Sequence, residues 1–81
     1  MPRFFFDWYD GERFMRDEEG VDLHDFKAAQ REAVQGLSEA ARIVFPSTEQ
    51  RDLGITVRDA AGIAIFATTL VFETRRLADW H

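Results

Sequence analysis

The 81-residue chain contains no cysteine, so disulfides and thiolate metal sites are excluded. A reducing compartment fits that composition. Long apolar runs are missing too. The most hydrophobic stretch, Ile63 to Phe72, is about ten residues, includes Thr68 and Thr69, and reaches half of what a membrane helix needs. The start, Met1-Pro2-Arg3 followed by Phe4, Phe5 and Phe6, lacks the basic, apolar and small-residue layout of a signal peptide. The resulting expectation is a cytoplasmic protein with no membrane partner. Basic charge is scarce: 10 Lys and Arg against 15 Asp and Glu leave a formal net charge of −5. Such a field repels phosphate backbones, and no nucleic-acid partner is expected.

Chemistry-bearing sets are equally thin. His24 and His81 are the only histidines, and with no cysteine and no nearby serine they make neither a zinc set nor a triad. Ser38 and Ser47 have no nucleophile elbow around them, and no glycine-rich phosphate loop exists. The acidic turn fails as a calcium loop. Counting back from Gly20 puts Met15 at the first ligand position, and Phe26 stands where the closing Glu belongs. No catalytic residue, cofactor or metal site is expected.

What the chain does have is one well-patterned helix, predicted over about residues 26–45. At about 100° per residue, Phe26, Ala29, Ala33, Leu37, Ala40 and Val44 fall on one stripe, widened along one edge by Val34, Ala41 and Phe45. Asp25 is the expected N-cap and Pro46 the stop. The small residues in the middle of the stripe permit close approach to a flat surface such as a sheet.

Strands flank the helix on both sides. Residues 3–9 alternate, with Phe4, Phe6 and Trp8 on one face and Phe5, Asp7 and Tyr9 on the other. Asp10-Gly11 suits a two-residue hairpin loop leading to a second strand over 12–17, with Trp8 opposite Arg13. After an exposed loop from Pro46 to Asp52, strands are expected over 53–59 and 63–74, joined by a turn at Asp59-Ala60-Ala61-Gly62. Pairing Asp59 with Ile63 puts Val57 opposite Ile65 and Ile55 opposite Ala67. The sum is a single α+β domain over 1–81, ββαββ, a four-stranded sheet with the helix on one face and a charged tail over 75–81. Strand order is open.

The Met-Pro-Arg-Phe-Phe-Phe start, Asp10-Gly11, and Asp17-Glu18-Glu19-Gly20-Val21 with Leu23 and Asp25 ahead of an Ala-rich helix together resemble a family of small bacterial domains of unknown function. Val57-Arg58-Asp59 to Gly62 is similar to that family's second half. His24 departs from the Pro of such sequences. The resemblance implies the ββαββ architecture and no catalytic or binding residues.

Function must come from surfaces. In the register above, Leu53, Ile55, Val57, Ile63, Ile65, Ala67 and Val71 lie beneath the helix, while Phe66, Leu70 and Phe72 share the helix-free face with Phe5, Tyr9 and Phe14. Contiguous exposed aromatics mark an interaction surface, unless the tail folds back over them. The leading expectation is therefore a small interaction module, a homodimer through the helix-free face or a sheet edge. An acidic, antitoxin-like regulator using Asp17, Glu18, Glu19 and Asp22 against a basic protein partner is the alternative. An enzyme is the weakest third.

Overall fold

A computed structural model describes residues 1–11, 13–44 and 50–79. Its elements are β1 (Arg3–Asp10), β2 (Arg13–Met15), β3 (Val21–Asp22), α1 (Phe26–Val44), β4 (Gln50–Arg58) and β5 (Ala64–Glu73). The class is α+β, one helix on an antiparallel sheet. The finer expectation of four strands in ββαββ order is corrected: the described residues form five, in the order β2-β1-β4-β5, with β3 also pairing β1. Two short strands share one edge of β1 because the predicted 12–17 strand breaks after Met15. Gln50, Arg51 and Asp52, expected in the loop before the third strand, belong to β4. Arg51 there grips Asp10 through two bonds of 2.6 and 2.9 Å. The expectations placed on Glu12, on Phe45 to Glu49, and on Trp80 and His81 lie outside the described residues.

The first hairpin slips by two positions from its predicted register. Trp8 faces Met15, Tyr9 faces Phe14, and Asp10 rather than Trp8 faces Arg13. An even slip preserves the faces, so Phe14 still sits beside Tyr9.

The second hairpin slips by one, and that matters more. Its turn is as expected: Asp59 N–H donates to Ile63 O at 2.9 Å, and Gly62 has φ 84°. The Asp59 carboxylate also accepts from the Ala61 and Ile63 amides, at 2.9 Å each. Arg58 then pairs with Ala64, but Val57 pairs with Phe66, leaving Ile65 as one extra residue at a bulge. Beyond the bulge every β5 side chain changes face relative to the predicted register. Phe66, Leu70 and Phe72 therefore lie on the helix side, opposite Val57, Leu53 and Arg51. Ala67, Thr69 and Val71 take the helix-free side, and Val71 is 62% exposed.

The helix sits as its stripe requires. Asp25 Oδ1 accepts from Ala28 N–H at 2.8 Å, an N-cap bond. Ala29, Ala33 and Leu37 are buried against Leu53, Ile55 and Val57 of β4, with Phe4 of β1. Burial of Leu37, Leu53, Ile55 and Val57 stabilises by roughly 1.5–3 kcal/mol each. The Phe26 ring meets Phe66 edge-on at 5.1 Å. A Cβ placed on Gly36 would lie 3.5 Å from Trp8, so that flank of the helix leans toward β1. No helix among the described residues is long and apolar enough to cross a membrane.

Candidate interaction surface

The hydrogen-bond parity of the sheet decides which backbone groups remain available. Gly11 N–H donates to Asp52 O at 3.0 Å. Asp10 and Leu53 are therefore a non-hydrogen-bonded pair, and the odd residues of β1 turn their amides toward β4. Carried across β4, the same alternation turns Phe66, Thr68, Leu70 and Phe72 toward β4 and leaves Ala67, Thr69, Val71 and Glu73 turned outward. β5 ends the strand order, and among the described residues no strand pairs with its outer side. From Ala64 to Phe72 this edge carries no charge and no proline. It is the opposite of a protected edge.

On the opposite side the sheet ends in two short strands, β2 and β3, both paired with β1. Phe6 N–H points away from β4, in the gap where neither β2 nor β3 reaches β1. Asp17 fills that gap: its Oδ2 accepts from Phe6 N–H at 3.0 Å, and its Oδ1 accepts from the Glu19 and Gly20 amides at 3.0 and 3.1 Å. A side-chain carboxylate thus stands in for a missing strand. Gly20, at φ 75°, lies so close to β1 that a Cβ would come within 2.9 Å of Phe5 and Arg3 side-chain atoms and 3.0 Å of Phe4 O.

Beneath this turn, on the helix-free face, Asp7 and Arg58 form a buried ion pair. Arg58 Nε donates to Asp7 Oδ2 at 2.7 Å and Nη2 to Asp7 Oδ1 at 3.1 Å. Nη2 also reaches Asp17 O at 2.8 Å, and Asp17 N–H donates to Asp7 Oδ1 at 2.9 Å. The Arg58 guanidinium lies over the Phe5 ring at 5.0 Å. Hydrogen bonding from Arg58 holds the Asp7 carboxyl below its ordinary value despite burial. Burial pushes Asp17 up, but the Phe6, Gly20 and Glu19 amides outweigh it and the net shift is downward.

Only some of the residues expected at an interface come together. Phe5, Tyr9 and Phe14 lie on the helix-free face, whereas Phe66 and Leu70 pack into the core side, and Phe72 lies on that side too. Of the tail that was expected to cover that face, residues 74–79 are all exposed. The acidic group divides as well: Asp17 is bound within the turn and Asp22 pairs with Arg3 at 2.9 Å, while Glu18 and Glu19 are exposed. Sequence reading overlooked the Asp7–Arg58 pair. Its signal was two ionic residues set among apolar neighbours on adjacent strands. On the helix side, Phe6, Trp8, Met15, Val21, Glu32 and Gly36 line an open groove of about 420 Å³.

A single helix laid on an antiparallel sheet whose last strand is β5 makes this a small α+β domain. Residues 3–71 match the family described as domain of unknown function DUF6894, and the chain belongs to that family. No curated protein and no solved structure matches the chain.

Proposed function

We propose that the protein is a small interaction module that self-associates by strand addition at the outer edge of β5. The observation that carries this reading is the contrast between the two sides of the sheet: β2 and β3 are short and Asp17 caps the β1 amide between them, whereas Ala67, Thr69 and Val71 turn theirs outward with no strand partner among the described residues, along a stretch that is uncharged from Ala64 to Phe72. Natural sheets defend such edges with charge, proline or short length, unless the edge is used. A dimer through the aromatic helix-free face would lack Phe66, Leu70 and Phe72, which lie on the helix side.

Thr69→Pro tests the reading. Proline removes one outward N–H and leaves the β4 ladder intact, a position where edge strands tolerate it. The native protein is expected to sediment as a dimer, and the variant as a monomer with a native-like circular dichroism spectrum. A native monomer, or a variant that associates like native, rules the reading out.

The acidic, antitoxin-like alternative is supported by the exposed Glu18 and Glu19 alone, since Asp17 and Asp22 are engaged internally. It requires a basic protein partner whose binding weakens with salt and with Glu19→Gln.

A further inference from the structure

We infer that the open groove over β1 and β2 seats a second helix, an amphipathic one supplied by a partner protein. Its basic flank lies against α1 and its acidic flank against β2. Nothing in this depends on strand addition at β5, which ends the other side of the sheet.

Helix α1 packs on Leu53, Ile55 and Val57 of β4 and reaches Phe66 of β5, so its axis runs over those two strands. The sheet continues past it, because β1 and β2 lie beyond its flank in the order β2-β1-β4-β5. A second axis over β1 and β2 would stand two strand spacings away, roughly 10 Å. That is the separation at which helices pack, about 8–10 Å. The floor there is apolar: Phe6 and Trp8 of β1 and Met15 of β2 face the helix side, and Val21 joins them from β3. Met15 is 59% exposed and Val21 44%. The eight residues of β1 run about 27 Å at roughly 3.4 Å each, the length of a helix of about 18 residues.

The two walls carry opposite charge. Glu32 and Gly36 line the groove from α1. Two turns beyond each, at nearly the same angle around the helix, stand Glu39 and Ile43. Ile43 is 81% exposed, an apolar side chain on the flank that a neighbouring helix would touch. Across the floor, Arg16 lines the groove, and Arg13 stands on the helix side opposite Asp10. Asp10 is already held by Arg51 and Asp7 by Arg58. Asp17 also reaches the groove, but its oxygens accept from the Phe6, Glu19 and Gly20 amides. Among the described residues, Glu32, Glu39, Arg13 and Arg16 make no ion pair of their own. A basic flank answers Glu32 and Glu39, an acidic flank answers Arg13 and Arg16, and an apolar stripe answers Phe6, Trp8 and Met15.

The test uses the full chain carrying Trp80→Phe, so that Trp8 is its only tryptophan. The probe is an acetylated peptide of about 18 residues with a Leu stripe, Lys along one flank and Glu along the other. It should bind saturably below about 1 mM and shift Trp8 emission to the blue as the ring leaves water. Met15→Lys should weaken binding at least about tenfold by placing an ammonium in the buried floor. Glu32→Lys combined with Glu39→Lys makes both walls basic. That pair should weaken the Lys/Glu peptide at least about tenfold and shift the preference to a peptide with Glu on both flanks. Met15, Glu32 and Glu39 are all exposed, so circular dichroism should stay native. No shift up to about 1 mM overturns the proposal. Binding indifferent to the charge reversal overturns the charge-matched partner, whatever Met15→Lys does. Trp8 emission that moves with protein concentration alone puts a second copy in the groove and overturns it equally. Thr69→Pro should leave peptide binding unchanged, so failure here and failure at the β5 edge are separate results.

Discussion

Asp7→Ala is expected to destabilise the fold by about 3–5 kcal/mol, the cost of leaving a buried partner charge unpaired. For a domain this small that lowers Tm by on the order of 15 °C or more. Asp7 is 4% exposed, and its carboxylate receives two bonds from Arg58 and one from Asp17 N–H. Removing it strips Arg58 of its counter-ion and frees the turn that seals the β1 edge. Acid should act through the same groups. Asp7 and Asp17 both titrate below their ordinary values in the folded chain, so the folded state holds these protons more weakly than the unfolded chain. Their contribution is complete above the unfolded value of about 3.9 and drains as pH falls through the lower folded values. Native Tm should therefore fall below about pH 4, and Asp7→Asn should flatten that slope. Thermal melts from pH 7 to pH 2 check both points. A Tm for Asp7→Ala within a degree or two of native would show that the pair is dispensable.

This network also marks how far the sequence could be read. Asp25, the Ala29–Ala33–Leu37 stripe and the Leu53–Ile55–Val57 alternation follow from local spacing, and each appears where that spacing predicts it. The hairpin at Asp59–Gly62 was legible too, down to the positive φ at its glycine. What spacing could not reveal was the bulge three positions beyond that glycine. One extra residue at Ile65 costs nothing in pattern, because Ile65 and Phe66 are both apolar, yet it moves Phe66, Leu70 and Phe72 to the other face. The candidate site changes with it, from an aromatic face to a strand edge. Asp17 shows the same limit from the other side. As an acid in an acidic turn it reads as solvated, and only the break between β2 and β3 reveals the orphan amide it satisfies. Long-range pairing supplies information that periodicity does not contain.

Ala33→Phe should be as damaging as the loss of Asp7, for a different reason. Ala33 is 1% exposed and Ala29 is fully buried, so the helix rests on the sheet through methyl groups. A phenyl ring there has no space, and overpacking at a seat this close costs at least about 3 kcal/mol or lifts the helix from β4. Val34→Phe, one residue along and half-exposed, should leave Tm within a degree or two of native. The pair separates a seated position on the helix from an open one: Ala33 lies against the sheet, and Val34 is half-exposed. If strand addition at β5 is correct, Ala33→Phe loses fold and association together, and amide exchange quickens throughout β4. Thr69→Pro should lose association alone, with β4 still protected. Equal melting of Ala33→Phe and the native protein would mean that the helix is not held by close approach, and the small-residue stripe would need another explanation.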